Sequence, residues 1–243
     1  MSHSFELAKQ SEFEATPAQV WDAIATGPGI DAWFMGHSEV EPVEGGAVTF
    51  SLGDISTVGT VTTWDLHKRF AYRSGEPDDS FMAFEYLIEG RDGGSTVLRM
   101  VQSGVLDDDW EAEYDALDKG WNLYLHTISE YLEHFGGRTP HTINVLGARA
   151  ADEVSAWAVL TYGLGLDGTP AEGDPIHLPV ADVDGVIDYV DAPTAIGVRT
   201  SDGLYRFAGR YGSMGIGHHV FAEDLNQAAA ERAWRSWLDD LYS

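Results

Sequence analysis

The sequence of 243 residues carries 40 acidic and 14 basic side chains, and its formal net charge of −26 argues against several classes of partner. A surface this acidic repels phosphate backbones and anionic lipid headgroups, so neither a nucleic-acid partner nor a membrane partner is expected. The sequence has no cysteine, which excludes disulfides, thiolate metal sites and a cysteine nucleophile.

Length and composition indicate a folded protein with room for two domains. Hydrophobic residues make up 44% of the chain, which predicts a substantial buried core, and domains typically hold about 100–150 residues. No stretch approaches the roughly 20 apolar residues of a membrane-spanning helix. The opening MSHSFELAKQ lacks a basic region followed by an apolar one, so no secretory signal is predicted and a cytoplasmic location is expected.

A strand and two short helices are predicted first. Residues 5–15 alternate between apolar and polar side chains, as a strand does. Thr16 as N-cap and Pro17 at the first helical position predict a helix in TPAQVWDAIAT. The Gly-Pro-Gly at 27–29 is expected to end this helix, and IDAWFM at 30–35 to form a second one.

Strands and a long helix follow. Alternating segments separated by turn signals predict strands at 47–52, 57–66, 69–74, 81–90 and 95–104. Links this short favour an antiparallel meander. Apolar residues spaced by three and four positions predict a helix from Trp110 to Phe135 with one apolar face. Asp107, Asp108 and Asp109 lie where negative charge stabilises its N-terminus.

The remaining chain partly repeats this order. The domains are predicted as 1–136, a linker at 137–142, and a smaller α+β domain over 143–243. In the second domain a helix at 151–165 precedes several strands and a closing helix that ends near the last residue.

Five motifs, in this order and spacing, resemble a known superfamily. They are ATPAQVWDAIATGPGIDAWF, EGGAVTF, GTVTTWDLHKRFAYR, GSTVLRMVQSG and KGWNLYLHTISEYLEHF. They are similar to the helix, Gly-Gly strand, Gly-x-Val strand, threonine-led last strand and Gly-Trp helix of the START/Bet v 1-like (SRPBCC) superfamily. More narrowly, residues 5–135 resemble the domain shared with the C-terminal part of the activator of Hsp90 ATPase. Residues 143–243 are only loosely similar, as a shortened second copy would be.

The resemblance implies a helix-grip fold of the α+β class. In this fold a curved antiparallel β-sheet wraps around a long C-terminal helix, often with an apolar cavity between them. Members include lipid and polyketide binders, cyclases or aromatases and co-chaperone domains, and no invariant catalytic residue transfers from them. The leading hypothesis is a non-enzymatic protein that binds a small hydrophobic molecule and needs no cofactor. A polyketide-cyclase-like enzyme and an Hsp90-activator-like domain with a protein partner are the alternatives.

The expected cavity lining is aromatic, with few polar groups. Strand alternation and helical spacing select as ligand-binding candidates Trp33, Phe34, Trp64, Tyr72, Phe84, Tyr86, Met100, Gln102, Trp121 and Leu125. The alternative interpretation is that these side chains only fill the core.

The pair His218–His219 could suggest a metal site. Neighbours on a strand point to opposite faces, however, so one ion would not be held by both histidines. No catalytic residue and no metal ligand is predicted.

Overall fold

The computed structural model describes residues 3–75, 81–106, 109–150, 152–210 and 213–243. The chain divides into two compact units, Met1–Thr139 and Pro140–Ser243. The linker expected at 137–142 spans this division, but a strand of the second unit already begins at His141. In the described ranges, no helix is long and apolar enough to cross a membrane.

In its described residues, the first unit is a seven-stranded antiparallel sheet with two short helices and one long one. Its elements are β1 (His3–Phe13), α1 (Pro17–Ala25), α2 (Gly27–Ile30), β2 (His37–Val40), β3 (Ala47–Leu52), β4 (Ile55–Asp65), β5 (Arg69–Ser74), β6 (Met82–Gly90), β7 (Thr96–Leu106) and α3 (Trp110–His134). The strand order is β1-β7-β6-β5-β4-β3-β2, so the predicted meander is present and the first strand closes it beside the last.

The two short helices begin at threonine caps. The Thr16 hydroxyl accepts a hydrogen bond from the Gln19 backbone N–H at 3.3 Å, and the Gln19 side chain accepts one from the Thr16 backbone N–H at 2.9 Å. This reciprocal pair is a capping box. The helix expected over 30–35 instead begins at Gly27 and ends at Ile30, because the Thr26 hydroxyl accepts from the Gly29 N–H at 3.1 Å. Trp33 and Phe34 therefore lie in the turn after α2 rather than inside a helix.

The long helix packs on the sheet, as expected for a helix-grip fold. The rings of Trp121 on α3 and Phe84 on β6 have centroids 6.3 Å apart, and Trp121 is hydrogen-bonded to Gln102 on β7. The helix N-cap is Asp109, which makes no side-chain capping hydrogen bond. The other two acidic residues expected there, Asp107 and Asp108, lie outside the described residues.

The described part of the second unit is a six-stranded antiparallel sheet with two helices. Its elements are β8 (His141–Arg149), α4 (Glu153–Gly163), β9 (Pro175–Leu178), β10 (Val183–Asp191), β11 (Ala195–Thr200), β12 (Gly203–Arg210), β13 (Ser213–Val220) and α5 (Gln227–Leu241). The strand order is β8-β13-β12-β11-β10-β9, so its first strand also lies beside its last.

A β-bulge lies at the same place in both sheets. In the first unit the pairing of β4 with β5 shifts between Val61 and Thr63, opposite Tyr72 and Ala71. In the second unit the pairing of β10 with β11 shifts between Ile187 and Tyr189, opposite Val198 and Gly197. A bulge adds one residue to a strand and bends it. Both sheets thus bend at the strand that lies three places before the last strand in chain order, which is β4 in the first unit and β10 in the second.

From the bulge to the last strand, the pairing registers of the two sheets can be aligned, so that each residue on one inner face has an equivalent on the other. In the first unit Tyr72 is opposite Phe84, which is opposite Gln102. In the second unit Val198 is opposite Tyr205, and the β12–β13 register places His218 opposite Tyr205. Gln102 and His218 therefore occupy equivalent positions on the last strand of each sheet.

Candidate ligand-binding cavity

A cavity of about 310 Å³ lies in the first unit, between the sheet and α3. Seven of the ten candidate residues line it: Trp33, Phe34, Tyr72, Phe84, Tyr86, Gln102 and Trp121. The remaining lining residues are Ile24, Ile30, Ser38, Val48, Thr49, Phe50, Thr57, Gly59, Ser74 and Met82. The structure thus brings most of the candidates together around one space, and their binding of a ligand stays a prediction.

Three candidates lie outside the cavity wall. Trp64 lies beyond the β4 bulge and packs on α1, with its ring centroid 4.9 Å from that of Trp21. Met100 is fully buried one alternation step from Gln102, opposite Tyr86. Leu125 is half-buried on α3, one turn beyond Trp121. A pattern of inward-facing positions identifies the core side of an element but not how far along it an empty space extends.

Most lining residues that sequence reasoning missed belong to β2, β3 and β4. Strand β2 was not predicted, because its four residues are too few to show a period. For β3 the signal was present: Val48 and Phe50 alternate, and the Phe50 ring lies 5.7 Å from that of Phe34. Ser74 and Met82 lie where β5 and β6 pair near their ends.

The turn after α2 closes one side of the cavity with aromatic rings. The Trp33 indole N–H donates to the Ala23 carbonyl at 2.9 Å, which fixes the ring against α1. The Phe34 ring lies 6.2 Å from that of Trp121 and 4.5 Å from that of Tyr124, so it joins the turn to α3. Such offset and edge contacts are favourable beyond the burial of area alone.

Asp31 holds this turn in place. Its carboxylate accepts from the Ser38 backbone N–H at 2.7 Å and lies 2.6 Å from His37 Nδ1. Burial raises the pKa of Asp31, while the contacts with His37 and Ser38 oppose the rise. The turn that carries Trp33 and Phe34 is therefore tied to the start of β2.

Gln102 and Trp121 form the main polar contact of the inner wall. The Trp121 indole N–H donates to Gln102 Oε1 at 2.6 Å, and Gln102 Nε2 donates to the Met82 sulfur at 3.1 Å. Gln102 is 3% exposed and Trp121 is 5% exposed, so water does not compete for these groups. The Gln102 carboxamide is thus engaged at both ends.

Three tyrosines near the cavity stay protonated at neutral pH. Burial raises the pKa of Tyr72, Tyr86 and Tyr124. Tyr72 and Tyr86 line the cavity, and Tyr124 packs behind it on Trp33 and Phe34. Among the lining residues that the structure describes, none carries a formal charge. The wall can therefore donate hydrogen bonds, but none of its described side chains accepts a proton at neutral pH.

His218 is a core residue of the second unit. Its Nδ1 accepts from the Arg206 backbone N–H at 3.1 Å, which places the proton of the neutral ring on Nε2. The ring meets Trp234 at a centroid distance of 4.5 Å and an interplanar angle of 74°. Burial lowers the pKa of His218 well below its usual value. In the first unit, Gln102 on the last strand likewise contacts Trp121 on the helix that follows it.

Residues 14–133 match the family described as Activator of Hsp90 ATPase homolog 1-like protein. The first unit is a domain of this family. The match covers the segment from the end of β1 to the last turn of α3, which is the whole frame of the cavity.

Solved structures similar to the chain include protein MLL2253 from Mesorhizobium loti, at 20% identity and a TM-score of 0.48, over 54% of this chain and 98% of that one. The Aha1 dimer from Colwellia psychrerythraea matches at 16% identity and a TM-score of 0.45, over 53% of this chain and 96% of that one. CalU16 from Micromonospora echinospora matches at 17% identity and a TM-score of 0.42, over 53% and 74%. No curated protein matches the chain.

Proposed function

We propose that the first unit is a cytoplasmic binding domain that holds a small, neutral, hydrophobic molecule between its sheet and α3. The observation that carries the proposal is the cavity of about 310 Å³ with an aromatic and aliphatic wall. Ligand pockets are concave, mostly apolar and about 300–1,000 Å³ in volume. An ionised group in this cavity would lose its hydration and meet no charged partner among the described residues of the wall.

The chemistry of the wall favours binding over proton-transfer catalysis. A general base needs a pKa near the working pH. The raised pKa values of Tyr72 and Tyr86 keep both hydroxyls protonated. The cyclase-like alternative retains one supporting feature, since a protonated tyrosine can donate to an oxygen that gains negative charge. Turnover of a polyketide substrate that is lost in Tyr72→Phe would favour this alternative.

The co-chaperone alternative rests on the family description and on the acidic charge of the chain. A basic partner surface would be attracted to a net charge of −26. Stimulation of the ATPase of Hsp90 by the purified protein would favour this alternative, and an unchanged ATPase rate would count against it.

The binding proposal is tested by titration with N-phenyl-1-naphthylamine, a neutral fluorophore that brightens in apolar surroundings. Native mass spectrometry of the purified protein, before and after denaturation, reports any molecule already bound. Thr57 is exposed on β4 and lines the cavity, so Thr57→Trp places a large ring at the opening. Thr60→Trp is the matched control, because Thr60 is also exposed but on the opposite face of the same strand.

We expect saturable binding in the wild type, a loss of at least tenfold in affinity in Thr57→Trp and little change in Thr60→Trp. A factor of ten in affinity corresponds to about 1.4 kcal/mol. Absence of both saturable fluorophore binding and a releasable mass would refute the proposal. An equal loss in the two variants would place the binding elsewhere.

We also infer that the second unit is a shortened copy of the helix-grip domain with its cavity filled by side chains. The shared bulge and the equivalence of Gln102 with His218 support the common fold. The rings of Tyr205 and Trp234 approach His218 at 4.9 and 4.5 Å, and all three residues are at most 3% exposed. The fluorophore titration is then expected to give one equivalent per chain, and two equivalents would contradict a filled second unit.

A further inference from the structure

Gln102 is the only buried glutamine among the described residues. The other glutamines of the chain, Gln10, Gln19 and Gln227, are exposed. Gln102 is 3% exposed, lies opposite Phe84 on the inner face of β7 and lines the cavity. A carboxamide carries two N–H donors and one acceptor oxygen, all of which need partners when they are buried. The partners of these atoms therefore decide what Gln102 offers to a ligand.

Trp121 fixes the direction in which the carboxamide points. The indole N–H of Trp121 is a donor only, and it lies 2.6 Å from one end of the carboxamide. That end is the oxygen, because an amide nitrogen in its place would set a donor against a donor. The nitrogen Nε2 is thereby directed to the other side, toward Met82.

The nitrogen of Gln102 has only a weak partner in the described part of the chain. Nε2 lies 3.1 Å from the Met82 sulfur, and a thioether sulfur is a weak acceptor. The described residues offer no acceptor to the second hydrogen of Nε2. Gln102, Met82 and Trp121 all line the cavity, so the carboxamide lies at its surface. A buried N–H without a good acceptor is costly, so a ligand oxygen that accepts from it gains an interaction that the wall lacks.

We infer that the carboxamide nitrogen of Gln102 binds an uncharged oxygen acceptor, such as a ketone oxygen, on an otherwise apolar ligand. The inference rests on the proposed function, because it assigns a polar group to the molecule that occupies the same cavity. A carboxylate would also accept from Nε2, but it would meet no cation among the described residues of the wall. Trp121 acts as a positioning residue, since its N–H holds the carboxamide oxygen and so directs the nitrogen.

The first test compares probes that differ only at the acceptor. The compound 2-acetylnaphthalene carries a ketone oxygen, and 2-isopropenylnaphthalene has a methylene group in its place with almost the same shape. The anion 2-naphthoate tests for charge. Dissociation constants are measured by displacement of N-phenyl-1-naphthylamine.

The proteins compared are the wild type, the double variant Gln102→Leu/Trp121→Phe and Thr96→Val. The double variant removes both donors, because the indole N–H released in a single Gln102 variant would itself be free to bind the ketone. Thr96→Val is the matched control, since Thr96 lies on the inner face of the same strand and its buried hydroxyl donates to the Ala15 carbonyl at 2.6 Å. Thr96 does not line the cavity.

The second test observes the hydrogen bond itself by NMR. Protein labelled with 15N in its glutamine side chains gives side-chain amide signals from Gln102 and from the exposed glutamines. The Gln102 signals are assigned by through-bond correlation with its backbone. We expect an amide proton of Gln102 to lie further downfield in the ketone complex than in the alkene complex. The signals of the exposed glutamines should be the same in both complexes.

We expect the wild type and Thr96→Val to bind the ketone about 3- to 10-fold more tightly than the alkene, the factor for about one hydrogen bond. The double variant should bind the two probes equally, and the NMR comparison decides alone if this variant does not fold. Equal affinities in the wild type, or a ketone preference that persists in the double variant, would overturn the inference but leave the binding function standing.

Two other results would also overturn the inference without touching the binding function. They are identical Gln102 amide signals in the ketone and alkene complexes, and tighter binding of naphthoate than of the ketone. Failure of the fluorophore and both neutral probes to bind would refute the binding function itself.

Discussion

The hydrogen bond between Trp121 and Gln102 offers a direct test of how the first unit is held together. In the variant Gln102→Leu the carboxamide is replaced by an apolar group of similar size. The Trp121 indole N–H, 2.6 Å from the lost oxygen, then stays buried without its acceptor. The Met82 sulfur also loses its contact with Gln102 Nε2.

The magnitude follows from burial. A buried donor left without an acceptor costs about 1–3 kcal/mol of stability. When apolar groups of similar shape replace both the donor and the acceptor, no polar group is left unpaired and most of this cost is avoided. We therefore expect Gln102→Leu to lower the free energy of unfolding of the first unit by about 1–3 kcal/mol. The double variant Gln102→Leu/Trp121→Phe should be less destabilised than the sum of the two single variants, by a coupling of about 0.5–3 kcal/mol.

The assay is urea unfolding followed by far-UV circular dichroism, fitted to separate transitions where the two units unfold independently. Gln10→Leu is the matched control, because Gln10 is exposed on β1 and its hydrogen bond with Arg99 lies at the surface. We expect this control to change the free energy by less than about 0.5 kcal/mol. Strict additivity of the two single variants, or a Gln102→Leu variant as stable as the control, would refute the role assigned to the hydrogen bond.

Three further predictions concern both units. The lowered pKa of buried His218 means that the unfolded chain binds its proton more readily than the folded one. The second unit should thus lose up to about 1.4 kcal/mol per pH unit as the pH falls below about 6.5, and His218→Phe should flatten this dependence in thermal melts from pH 7.5 to 5. A Cβ added at Gly197 would meet Arg206 Nη1 at 2.7 Å, whereas at Gly217 the nearest atom is 3.7 Å away. Gly197→Ala should therefore lower the free energy of unfolding by about 1–3 kcal/mol and Gly217→Ala should not, and equal melting temperatures would contradict this. Loss of the capping box in Thr16→Ala should cost about 0.5–2 kcal/mol in urea unfolding, and a smaller change would show that α1 is held by packing alone.

The sequence predicted the regular elements of the first unit well where they hold six or more residues. The strands at 47–52 and 69–74 have the bounds of β3 and β5, and the long helix has the predicted start at Trp110. These segments carry many alternating or helically spaced apolar residues, so a local pattern suffices. Strand β2 and helix α2 were missed or misplaced, since they have four residues each. The threonine cap and the partner strand that define them become apparent only in the folded chain.

The sequence by itself also determined which side chains face inward on the elements it predicted, and with them seven of the seventeen described residues that line the cavity. Only the tertiary structure decided where those side chains leave an empty space. The inner faces of the two sheets have equivalent positions. In the first unit, Tyr72 and Gln102 border a cavity of about 310 Å³. In the second unit, His218 occupies the position equivalent to Gln102, and its ring packs 4.5 Å from that of Trp234. The physical reason is that a cavity is a small difference between the volume enclosed by the backbone and the summed volume of side chains from elements distant in the sequence. A turn that places Trp33 and Phe34 across one side, and a β4 bulge that carries Trp64 away from the other, set that difference.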